Sequence, residues 1–234
     1  MSFKELRPLE KILYRAPEGF LLAGLTGLGY FAAYLSEIGY KSYFKIPSMF
    51  IEISINSVIL AVCLLIFMLL IAYLSISMTG FQRYGKIIFA LLIPAGVAVI
   101  IGMKLGFTFQ GDRLWPYFLA FTAHALLLFL FFHFAQKRTR ASTSTAVVLL
   151  LVLVVSVAVT SGHIIAKNQS YFLVSDGPNP LVVVDTYKDA LIVAPFNPET
   201  GTIKPSYHFL HLESGMNEKL KFKMKAVGPL KVVP

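Results

Sequence analysis

ISINSVILAVCLLIFMLLIAYLSISMTGFQ, residues 53–82, runs for thirty residues without Asp, Glu, Lys or Arg. A helix needs about 20 apolar residues to cross a hydrocarbon core roughly 30 Å thick, and this run exceeds that. Four more stretches are equally free of charge, at 19–36, 87–103, 114–136 and 141–166. An unpartnered backbone amide in lipid costs several kcal/mol, so such segments cross as helices and not as loops. Working outward, the chain reads as an α-helical multi-pass membrane domain of four to five transmembrane helices, followed by a small all-β domain, a barrel or sandwich. The expected divisions are a basic amphipathic head at 1–18, the helical domain at 19–166 and a soluble β domain at 167–234.

Composition agrees with the membrane reading. Hydrophobic residues make up 56% of the chain and charged residues 14%, against about a quarter charged in soluble domains. The net charge is +9, but most basic residues flank the apolar stretches or lie in the tail, as expected for a polytopic protein. No aromatic-basic motif or recognition helix accompanies them, so direct nucleic-acid binding is not expected. The single cysteine, Cys63, permits neither an intramolecular disulfide nor a cysteine-rich metal site. Tyr34-Leu35-Ser36-Glu37 lacks a small-x-small cleavage pattern, so the first stretch reads as a retained anchor.

Charge asymmetry gives an orientation. With five spans, Lys4, Arg7, Lys11, Arg15, Arg83, Lys86, Lys137, Arg138 and Arg140 place 9 basic residues on one side. Lys41, Lys45, Lys104 and Arg113 place 4 on the other. The positive-inside rule then puts the N-terminus in the cytoplasm and the tail outside. If the glycine-rich first stretch lay along the interface instead, the tally becomes 8 against 5, with both termini inside. Pro94 weakens the third stretch, because proline removes an amide donor. The 53–82 run would be about 45 Å long as one helix, with a tight connection at 81–86 and another at 137–140. In the head, Lys4, Arg7, Lys11 and Arg15 oppose Phe3, Leu6, Leu9 and Leu13 on a helical projection. That pattern suits a helix lying on anionic lipid, or a plain positive-inside signal.

Functional polar groups are scarce within the stretches. His124 and His133 are two and a half turns apart on opposite faces, so they make no intrahelical metal pair, and His124 is expected to bond a neighbouring helix. Ala23/Gly27, Gly29/Ala33, Ala98/Gly102 and the Gly102–Gly106 GxxxG are small-residue pairs of the kind that let helices approach closely. Ser54, Asn56 and Ser57 are candidate pore-lining residues in an oligomer, or else ordinary hydrogen-bonding groups. No nucleophile, paired-carboxylate or metal motif is present, so no catalytic, cofactor or metal residue is named and a non-enzymatic role is expected.

After Lys167 the periodicity changes to two. Strands are expected at 171–175, 181–185, 190–194, 207–212 and 218–226, separated by turn-rich 176–180 and 197–201. In the last of these Lys219, Lys221, Lys223 and Lys225 face one way, and Leu220, Phe222, Met224 and Ala226 are expected to face the core. The lysine row either blunts an edge strand or meets anionic headgroups. Asp185, Tyr187, Lys188 and Asp189 sit at a hairpin, as a recognition edge for a partner or as a solvated loop. So small a core is marginal alone, and docking on the helices or on other copies is expected.

Two segments, YLSEIGYKSYFKIPSMFIEIS at 34–54 and LVVVDTYKDALIVAPFNPETGTI at 181–203, resemble small, mostly uncharacterised bacterial membrane proteins. The functional association they suggest is the membrane subunit of the Kiwa anti-phage defence system, a family with about four membrane helices. The resemblance covers under a fifth of the chain and transfers no site residue. It implies a membrane sensor or scaffold subunit whose β domain contacts a protein partner, with the bilayer and further copies as its other partners. The alternative is an oligomeric channel or membrane-permeabilising effector.

Overall fold

The computed structural model describes residues 18–77, 79–106, 115–137, 139–211 and 221–233. The amphipathic head up to residue 17, Lys219, Leu220, Arg113 and Arg138 lie outside the described residues. Among the described residues five α-helices come first, α1 (Glu18–Phe44), α2 (Ile55–Ser77), α3 (Thr79–Lys104), α4 (Trp115–Gln136) and α5 (Arg140–Asn168), with a 3-10 turn at Ser48–Phe50 between α1 and α2. Among the described residues, four helices, α2 to α5, are long and apolar enough to cross a membrane. This is a helical membrane domain, and a small β domain follows it.

The helix ends explain where the chain stops and restarts. Ser54 precedes α2 and its Oγ accepts from the Ser57 amide at 3.1 Å, satisfying one of the first-turn donors. Thr139 and Ser142 cap α5 reciprocally, each Oγ accepting the other's amide at 3.3 Å, which makes the 137–140 connection tight. The α2–α3 connection does not fall at 81–86 as expected. Residues 79–86 are already helical; they contain no proline, and Gly80 and Gly85 cost a helix only about 1 kcal/mol each. Pro94 lies inside α3 and does not end it.

The chain divides into two compact units, one of residues 1–33, 53–99 and 113–158, the other of 34–52, 100–112 and 159–234. In the first, Met68, Ile71, Phe89, Ile93, Leu128, Phe131, Phe132 and Leu153 form a buried cluster. His124 Nε2 lies 3.0 Å from Ser156 Oγ, the interhelical bond expected of it. Of the predicted small-residue contacts, Gly29 is real: a Cβ there would fall 2.3 Å from the Val62 side chain. Gly27 meets nothing within 4 Å, and Gly106 lies past the end of α3 at φ +62°.

The second unit holds β1 (Tyr171–Ser175), β2 (Leu181–Tyr187), β3 (Ala190–Asn197), β4 (Thr202–Ile203), β5 (His208–His211), β6 (Phe222–Ala226) and β7 (Lys231–Val232). Their order is β6-β1-β2-β3-β4-β7, with β5 also paired to β3. All pairings are antiparallel except β4 with β7. The core beneath the sheet combines Phe172, Val174, Val182, Val184, Ile192, Ala194 and Phe196 with Phe44, Ile46 and Ala166 from the helical side. The sheet therefore does not close its own core; the C-terminal ends of α1 and α5 complete it.

One expectation is reversed. Register sets Phe172 opposite Lys225 and Val174 opposite Lys223. Directly opposed residues share a face, so the lysine row points to the core side and Met224, 64% exposed, points away. β6 ends the sheet, where the inward face opens to water, and inward lysines protect such an edge.

Candidate functional site

The helix that reaches the sheet ends by a specific device. Lys45 adopts φ +58°, the Ile46 amide donates to the Lys41 carbonyl at 3.0 Å, and the Lys45 amide to the Ser42 carbonyl at 3.2 Å. These two bonds define a Schellman C-cap, here with lysine in the left-handed position that glycine usually fills. The cap turns the chain so that Ile46 enters the sheet core, and a single 3-10 turn at Ser48–Phe50 follows Pro47, the Phe50 amide donating to the Pro47 carbonyl at 3.1 Å.

Within this unit α1 and α5 cross at glycine. A Cβ on Gly39 would lie 2.1 Å from the Val159 carbonyl oxygen, and one on Gly162 would lie 1.8 Å from that of Ser36. Gly39 also meets His163, and Gly162 meets Tyr40. Both helices advance together towards Phe44 and Ala166, so they are parallel at the crossing. Backbone approach this close is what small residues permit.

On the same end of α1, Tyr40 and Lys41 engage β2. Register pairs Val183 with Val193 and Asp185 with Ile192, leaving Val184 as an extra residue. This bulge shifts the phase of the strand: strict alternation after Val182 and Val184 would turn Asp185 outward, and the bulge turns it to the core side. There Asp185 pairs with Lys41, whose side chain is only 2% exposed. The Tyr40 hydroxyl lies 2.9 Å from the Val184 carbonyl and 3.0 Å from Gln169 Oε1, so its one proton is shared between two acceptors. Burial, reinforced by the Asp185 carboxylate, holds the Tyr40 phenol well above its ordinary range. Tyr207 donates to the Phe44 carbonyl, and burial pushes its phenol up to about 12. Tyr43 adds a 2.7 Å bond to the Leu230 carbonyl.

The predicted recognition hairpin is thus divided. Asp185 is consumed by Lys41. Tyr187 packs edge-on against Phe50 with centroids 5.4 Å apart, and the Lys188 amide donates to the Glu52 carboxylate. The Lys188 and Asp189 side chains stay exposed. On the other edge, Asp176 accepts from Lys223 at 2.8 Å and Lys225 at 3.2 Å, and these bonds hold its carboxyl below the usual range while raising Lys223. Lys221 is exposed. Asp176 and Lys225 border a cleft of about 220 Å³ with Val174, Phe196 and Val227. Ser54 and Ser57 are bonded to each other at 2.8 Å in the α2 cap, with Asn56 exposed beside them.

Sequence reasoning misses Lys41, Tyr40, Gly39 and Gly162. Lys41 enters it only as a connection charge, because the first charge-free stretch ends at Ser36. The signal is nonetheless present: nothing from Glu37 to Phe44 breaks a helix except one glycine. The architecture is that of a multi-pass membrane protein whose sheet is clamped to helix ends. No family model, curated protein or solved structure matches this chain.

Proposed function

We propose that this chain is a non-enzymatic sensor or scaffold subunit of the bacterial cytoplasmic membrane, with an extracytoplasmic sheet that engages a protein partner. The observation that carries the reading is the clamp. Lys41–Asp185, the Tyr40 and Tyr207 bonds and the Gly39/Gly162 crossing tie strand positions to two helices. A partner that shifts β2 therefore works directly on α1 and α5. A membrane module that merely anchored a domain would need only a linker.

Five spans fit this arrangement better than four. α1 and α5 run parallel where they cross, and each is an unbroken helix, of 27 and 29 residues respectively. If α5 enters the sheet unit from the bilayer, α1 does the same, and its N-terminus lies on the far side. The charge tally favours the same orientation. The anti-phage context comes from the resemblance of 34–54 and 181–203 alone, and these two segments supply both members of the Lys41–Asp185 pair. The channel reading rests on Ser54, Asn56 and Ser57, two of which are already committed to a helix cap.

The test is a photocrosslinker at Asp189, an exposed hairpin residue, in cells carrying the full chain. A discrete adduct with another polypeptide or a second copy is expected. Recovery of the uncrosslinked chain alone, running as a monomer in mild detergent, would overturn the proposal.

A further inference from the structure

The segments that carry α2 to α5 have a charge imbalance that the sheet clamp does not use. From 53 to 111 and from 113 to 175 the sequence contains no Asp or Glu, yet these segments hold Arg83, Lys86, Lys104, Arg113, Lys137, Arg138, Arg140 and Lys167. Two of these lysines sit on aromatic faces. Lys86 Nζ lies 5.8 Å from the centroid of the Phe129 ring, and Lys137 Nζ lies 5.1 Å from that of Phe134. His133 joins the two rings, stacking on Phe129 at 6.3 Å and meeting Phe134 edge-on at 5.5 Å. Phe129, His133 and Gln136 recur at helical spacing and share a face of α4. The Gln136 Nε2 is buried with no hydrogen-bond partner, the one such side-chain atom among the described residues.

We propose that this ring-framed cluster binds the phosphate of an anionic phospholipid. Lys86 and Lys137 supply charge and the Gln136 amide supplies a neutral donor. A buried donor left without an acceptor is costly and rare, so Gln136 points to an acceptor that the protein does not provide. Aromatic faces stabilise an ammonium only in part, and among the described residues no carboxylate pairs with either lysine. The depth is also right: the apolar spans begin at Tyr84 in α3 and end at Gln136 in α4, which sets the cluster at one end of both. Basic pockets between spans are the usual seats of anionic headgroups.

The experiment uses the full chain purified in neutral detergent, with retained lipid counted by native mass spectrometry after addition of phosphatidylglycerol or phosphatidylcholine. Preferential retention of phosphatidylglycerol is expected, with affinity falling about thirtyfold in Lys86→Gln/Lys137→Gln. Gln136→Leu should weaken it less, and Lys223→Gln/Lys225→Gln on the sheet should leave it unchanged. Unfolding in phosphatidylcholine reports whether each variant folds. If the double glutamine variant does not, the Lys86→Arg/Lys137→Arg pair must keep the preference. Competition by millimolar inorganic phosphate would mark a free-anion site, and equal retention of both lipids, or none lost in the variants, would overturn the proposal.

Discussion

At the residue scale, the Lys41–Asp185 pair, with the lysine buried and the carboxylate largely so, holds β2 to α1. Removing one member of such a pair leaves an uncompensated charge, so Lys41→Ala should destabilise the sheet unit by about 3 kcal/mol in detergent unfolding. Lys41→Met with Asp185→Leu should recover most of that loss, because apolar replacements of similar volume avoid desolvation. Additive losses in the two single variants, with no recovery in the double, would show that the residues do not act together. The tyrosines give a pH signature. Burial pushes the Tyr207 phenol up to about 12 in the folded unit, against about 10 unfolded. A folded pKa raised above the unfolded one means the neutral phenol's stabilisation is whole below pH about 10 and is lost as pH climbs through the folded value. Tyr207→Phe should therefore flatten the alkaline fall in stability, as followed by unfolding midpoint against pH. Asp176 works in the opposite sense: its depressed carboxyl contributes above about pH 4 and fades on acidification, weakly, because the group is exposed to solvent screening.

At the scale of elements, the glycine crossing makes a sharp prediction. Gly162→Ala places a methyl against the Ser36 backbone, which cannot yield as a side chain can, and overpacking of this kind costs about 1–3 kcal/mol. Gly27→Ala, with open space around it, should be neutral or slightly stabilising. Equal melting of the two variants would contradict the crossing. The same elements show what the sequence can tell. Four of the charge-free stretches mark α2 to α5, because hydrocarbon-length apolar runs have few other folds, although α3 begins at Thr79, inside the stretch assigned to α2. β1, β2, β3, β5 and β6 and both turns of the tail are legible from period-two patterning and Pro/Gly/Asn clusters, whereas β4 and β7, of two residues each, are too short to show a period. The true contact glycines are not, since small-residue spacing recurs on every face and only the partner helix selects one. Nor is the facing of β6: alternation gives two faces but not which one meets the core, and an edge strand needs no apolar inner face. Asp185 escapes for a related reason, as a bulge shifts the phase and leaves no mark in the local sequence.

At the scale of the whole molecule, the sheet borrows its core from α1 and α5, so the β domain and the ends of these two helices are one mechanical object. A fragment beginning at Tyr171 would lose Phe44, Ile46 and Ala166 from the core. That dependence explains why the boundary of the compact unit cannot be read from composition: the change at Lys167 marks a switch of periodicity, while the packing reaches back to residue 34. It also ties topology to function, since in the five-span arrangement a sheet clamped to two parallel spans samples the compartment opposite the basic head. Cysteine labelling in intact cells tests this most directly. With Cys63→Ala as background, Glu199→Cys in the exposed 197–201 turn should react with a membrane-impermeant thiol reagent, and Ser2→Cys in the head should react only after lysis. Protection of both sites until lysis would place both termini inside and contradict the five-span sensor.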